Sequence, residues 1–99
     1  MASYKISHEA EKDLERIWIY TFKTWSVEQA DRYLKQIFEE IEYISKKPKE
    51  GKDFGYVRKG YLRTKVKFHF VFYKIEDKTQ KVEIIRILHQ RMDIENRLK

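Results

Sequence analysis

The sequence has no cysteine, one proline, three glycines and no long apolar run in its 99 residues. Without cysteine there can be no disulfide and no thiolate metal site, which fits a reducing, cytoplasmic setting. No stretch approaches the roughly 20 apolar residues of a membrane helix. The opening MASYKISHEAEKD lacks the apolar core of a signal peptide. The proline and all three glycines fall between residues 48 and 60, at Pro48, Gly51, Gly55 and Gly60. That is one irregular connection inside a fold, not a linker, so a single domain over 1–99 is expected. HExxH, phosphate-loop and GxSxG motifs are absent. His8, His69 and His89 have no metal-ligand spacing, so neither a metal nor a cofactor is expected.

Charge and aromatic residues are abundant. With 15% aromatic and 41% hydrophobic residues the chain has the makings of a packed core. The formal charge of +6 is unevenly spread. Residues 1–45 carry a net −3, residues 46–67 a net +7 and residues 68–99 a net +2. A focused basic segment attracts phosphate or an acidic protein, although a solvated lysine-rich loop has the same composition.

Tyr4-Lys5-Ile6 has the alternation of a short strand. Ser7 then caps a helix over about 8–24, with Glu9 and Glu11 in its first turn and Ala10, Leu14, Ile17, Trp18 and Trp25 at helical spacing. Ser26 and Gln29 form a capping-box pattern for a second helix, whose face is Ala30, Tyr33, Leu34, Ile37, Phe38, Ile41 and Ile44. Pro48 closes it. The short connection predicts an antiparallel helical hairpin. Three strands follow: Tyr61–Val66, the doubly apolar Phe68–Tyr73, and Val82–Leu88 after a polar turn at Glu76–Thr79. Residues 93–99 can form a short helix. The order β-α-α-β-β-β predicts an α+β fold, with the hairpin on one sheet face and the other face left for function.

The last strand runs into a polar cluster, Arg86-Ile87-Leu88-His89-Gln90-Arg91-Met92-Asp93. RNA cleavage would need a proton acceptor, a proton donor and cations for the phosphorane charge. His69 and His89 can titrate near neutrality, and Arg58, Arg63, Arg86 and Arg91 can hold phosphate. His69, between Phe68 and Phe70, reads as a hydrogen-bonded sheet residue, whereas His89 is more available. Strict alternation puts Arg86 on one face with Ile84 and Leu88, where its charge needs a partner: Asp93, Glu83 or a carboxylate from another protein. Met92 reads as core filler. Trp18 reads as core, and Trp25 as a binding anchor if exposed.

Four segments in order resemble the ParE toxins of the RelE/ParE superfamily, from bacterial type II toxin–antitoxin modules. They are YKISHEAEKDLERIWIYTFKTWSVEQADRYL, KKPKEGKD, RKGYLRTKVKFHFVFYKI and VEIIRILHQRMD, and together they cover nearly the whole chain. The resemblance implies a small RelE/ParE-like α+β domain neutralised by a cognate antitoxin that wraps an acidic C-terminal segment around it. It implies action on DNA gyrase that blocks replication; in RelE relatives the activity is ribosome-dependent mRNA cleavage. A non-toxic partner-binding relic is a third reading. For an inhibitor no catalytic residue is expected, and Trp25, Arg58, Arg63, Arg86, His89, Arg91, Met92 and Asp93 would meet antitoxin or target. For a nuclease the set would be Arg63, Arg86, His89 and Arg91. No helix-turn-helix signature is present, so sequence-specific DNA binding is not expected.

Overall fold

In a computed structural model that describes residues 4–98, the elements follow the predicted order with small additions. Strand β1 (Tyr4–Ile6) leads into helix α1 (His8–Thr24) and helix α2 (Val27–Lys46). A 3₁₀ turn (Pro48–Glu50) and a two-residue strand β2 (Lys52–Asp53) come next, then β3 (Leu62–Val66), β4 (His69–Ile75), β5 (Val82–His89) and α3 (Ile94–Leu98). The final Lys99 of the predicted terminal helix lies outside the described residues.

Both helices begin as the sequence predicts. Ser7 Oγ accepts from the Ala10 amide at 3.0 Å, and Ser26 Oγ from the Gln29 amide at 3.1 Å, satisfying donors that have no partner within the helix. The reciprocal half of the capping box is not made: the Gln29 side chain instead accepts from Arg32. Two residues, Trp25 and Ser26, separate the helices. The buried face of α2, with Ile37, Ile41 and Ile44, meets Leu14 and Ile17 of α1 and one side of the sheet. Each isoleucine removed from water contributes about 1.5–3 kcal/mol.

The sheet order is β1-β5-β4-β3-β2, with β1 parallel to β5 and the other pairs antiparallel. A register shift in β4–β5 sets Phe72 opposite Arg86 but Tyr73 opposite Ile84, leaving Ile85 as an extra residue. This bulge breaks the simple alternation expected for the last strand. Ile84 and Ile87 join the helix-side core, whereas Leu88 joins the far side, so Arg86 does not share one face with both Ile84 and Leu88.

The far face is not simply left bare. Phe54, Tyr61, Phe72, Leu88 and Leu98 form a second small core there, brought together by the 54–61 loop and by α3. Tyr73 ties the proline–glycine segment to the sheet, donating its hydroxyl to the Pro48 carbonyl at 2.7 Å. A Cβ on Gly51 would lie 1.9 Å from that hydroxyl oxygen, which is why this position has no side chain. No helix among the described residues is long and apolar enough to cross a membrane.

Candidate functional site

An open groove of about 530 Å³ runs between the helical hairpin and the β3–β4 turn, with aromatic walls. Tyr20 and Trp25 come from the end of α1, Phe68 from the turn, and Met92 from the segment after β5. All four are exposed, Trp25 by 73%. The turn has only two residues, Lys67 and Phe68, between the paired Val66 and His69. Lys67 accepts φ 49°, a conformation a residue with a Cβ pays for, and this turn sets Phe68 on the groove wall.

Two histidines lie against this wall. His69 and His89 face each other across β4 and β5, their rings edge-on at 5.1 Å, and the His89 ring stacks 6.4 Å from Phe68. The Tyr33 hydroxyl is 3.0 Å from the Val66 carbonyl oxygen and 2.7 Å from His69 Nδ1. With its single proton donated to Val66, Tyr33 accepts from His69 Nδ1–H, leaving His69 Nε2 as the ring's acceptor. His89 Nδ1 accepts the Arg91 amide proton at 3.1 Å, so in the neutral ring Nε2 carries the hydrogen. Burial, reinforced by the nearby His89, lowers the His69 pKa to about 4 against the pull of Asp13. His69 is therefore neutral near pH 7, as expected of a hydrogen-bonded sheet histidine.

A recess of about 260 Å³ adjoins the groove, lined by Arg16, Arg86 and Arg97. The partner of Arg86 is Asp13, rather than Asp93 or Glu83. Its Nε and Nη2 donate to the Asp13 carboxylate at 2.8 and 2.9 Å. Asp13 Oδ2 also accepts the Ile87 amide proton at 2.9 Å. The cause lies in the sheet: β1 pairs with β5 only as far as Ile84. Ser7 then takes over, donating its amide to Ile84 O and its hydroxyl to Ile85 O, and Asp13 receives the next free amide. Helix α1 thus completes the edge that β1 leaves open. The Arg86 pKa is raised, chiefly by its hydrogen bonds to Asp13.

The candidate residues fall into separate places. Trp25, His89 and Met92 share the groove, and Met92, 40% exposed, is not core filler. Arg86 is engaged by Asp13. Arg91 and Asp93 are exposed in the turn before α3, where the Asp93 carboxylate accepts from the Asn96 side chain. Arg58 and Arg63 lie with the far-side aromatics, over Tyr61 and Phe70 respectively. Trp18 is half-buried outside the core, its indole N–H donating to Asp31 across the helices. Asp13 and Tyr33 are the contributors that sequence reasoning passed over. Asp13 had a signal: it occupies the buried stripe with Ala10 and Ile17, where a carboxylate needs a partner. Among the described residues, no group of three or more metal-ligating side chains is assembled.

Residues 4–94 match a sequence model of the family described as ParE toxin of type II toxin-antitoxin system, parDE. The chain is 40% identical over 93 residues to Toxin ParE1 of Caulobacter vibrioides, covering 94% of each. It is 33% identical over 95 residues to Toxin ParE1 of Mycobacterium tuberculosis, covering 96% of each. A solved structure titled Chromosomal ParDE TA system from P. aeruginosa superposes with a TM-score of 0.76 at 18% identity, over 90% of this chain and 96% of that one. At that identity the superposition speaks to the fold.

Proposed function

Because this chain belongs to the ParE toxin family of type II toxin–antitoxin systems, we propose that it inhibits DNA gyrase, blocks replication, and is held inactive by a cognate antitoxin. The family match across residues 4–94 carries this reading. Gyrase being a cytoplasmic target, the toxin acts in the cytoplasm. The groove suits the antitoxin: Tyr20, Trp25, Phe68 and Met92 offer apolar anchorage, while Arg16 and Lys67 on its lining favour a segment with acidic residues.

The neighbouring His69 and His89, with one acceptor and one donor Nε2, favour a second reading, RelE-type ribosome-dependent mRNA cleavage. Against it, Arg86 is committed to Asp13, and Arg63 packs with the far-side aromatics, away from the groove. Purified protein added to a gyrase supercoiling and cleavage assay, beside a cell-free translation reaction, separates the two. Loss of supercoiling with intact translation is the expected result. Translation arrest with cut mRNA and unaffected gyrase would overturn the proposal. The antitoxin part is tested by Trp25→Ala with Phe68→Ala, expected to weaken antitoxin binding by at least about 2 kcal/mol if these are central anchors.

A further inference from the structure

The basic excess of residues 46–67 emerges in part on the far side of the sheet, away from the groove. Arg63 stands opposite Phe72 in β4, and Lys52 of the edge strand stands opposite Arg63. Lys65 lies opposite Phe70, its ammonium 5.8 Å from that ring's centre. The Arg63 guanidinium stacks 4.2 Å from the centre of Phe70 and 5.4 Å from that of Phe54. Arg58 lies over Tyr61 in the adjoining loop, and Tyr56, 75% exposed, packs against Phe54.

These four cations are unneutralised. Among the described residues, Lys52, Arg58, Arg63 and Lys65 form no ion pair within 4.0 Å. Arg63 Nε is buried and has no hydrogen-bond partner. The ion pairs among the described residues lie elsewhere and engage four cations: Arg16 and Arg86 with Asp13, Lys74 with Glu83, Lys47 with Glu50. Four such cations, three of them held on aromatic rings, make a surface for a chain of repeated negative charges.

We propose that this face binds the phosphodiester backbone of a nucleic acid strand, without sequence preference. Lys52, Arg58 and Lys65 meet phosphates, Arg63 supplies fixed positive charge between its rings, and Tyr56 offers a ring for base stacking. An acidic peptide fits less well. Such a peptide gains lasting affinity from apolar pockets, and the apolar side chains here are already packed into the second core. The open apolar groove is on the helix side. The inference concerns binding alone and stands whether gyrase or the ribosome is the target.

The test is fluorescence anisotropy of the full chain with a labelled 15-nucleotide single-stranded DNA, and with RNA of the same sequence, from 50 to 200 mM salt. Three phosphate contacts predict a slope of log K against log salt of about −2, similar for DNA and RNA. Lys52→Ala with Lys65→Ala should reduce the slope's magnitude by about 1.4. Lys12→Ala with Lys35→Ala, on the exposed helices, removes the same net charge and should leave the slope unchanged. The proposal is overturned if both pairs weaken binding equally, which would mean net charge alone. No binding at 50 mM salt overturns it too, as does preference for polyglutamate of equal length over the oligonucleotides.

Discussion

Replacing Asp13 with alanine removes three acceptor contacts at once. The carboxylate is 6% exposed and receives two charge-assisted bonds from Arg86 and one from the Ile87 amide. Arg86, only 16% exposed, is left without its counter-ion, and the β5 edge amide without an acceptor. Removing one partner of a buried pair costs about 3–5 kcal/mol, mostly the desolvated charge left behind. Against a total stability of about 5–15 kcal/mol this is a large loss. At about 4–8 °C per kcal/mol for a domain of this size, melting should fall by roughly 12–40 °C. Circular dichroism melts and urea titrations read it directly. Asp13→Leu with Arg86→Met removes the orphan charge and leaves only the unpaired Ile87 amide, so it should lose about 1–3 kcal/mol, less than Asp13→Ala alone. An Asp13→Ala protein within about 1 kcal/mol of wild type would refute the edge-completion argument. So would a double variant as unstable as the sum of the two single ones.

The His69 pKa, lowered to about 4 from 6.5 by burial, makes stability depend on pH. Folding favours the neutral ring, so its contribution is complete above pH 6.5 and is lost as pH falls toward 4. Urea midpoints of wild type and His69→Gln should therefore converge over that window, and a constant gap would contradict the assignment. Gly51→Ala should destabilise by about 1–3 kcal/mol through overpacking against the buried Tyr73 hydroxyl. Gly51→Ala with Tyr73→Phe should recover part of it; no recovery in melts would place the strain elsewhere. His89→Ala should leave gyrase inhibition within about tenfold, whereas a nuclease using this ring would lose about 10²–10⁴ in rate.

Most of the fold was legible because local chemistry and global packing agree. Ser7 and Ser26 mark helix starts, and the α2 stripe from Ala30 to Ile44 admits one face for the sheet. What escaped depended on interruptions of the periodic pattern. The extra Ile85 cannot be read from an apolar run, since a bulge is a property of two strands in register and the run belongs to one. The same holds for Asp13. In the sequence its place on the apolar stripe of α1 says that it needs a partner but not which one. Its actual work comes from β1 ending at Ile6, which leaves the Ile87 amide unpaired 74 positions away. The groove escaped for a related reason. Trp25 and Tyr20 look like continuations of the α1 apolar stripe, yet the helix ends at Thr24, and Thr21 holds the last buried position. The stripe overruns the sheet it packs on, and its surplus aromatics become the groove wall. A helix whose apolar pattern outlasts its support, beside a turn that exposes Phe68, leaves an apolar wall unburied, and this is the surface we propose for the antitoxin. In that proposal the binding surface is an excess of hydrophobic pattern over available core.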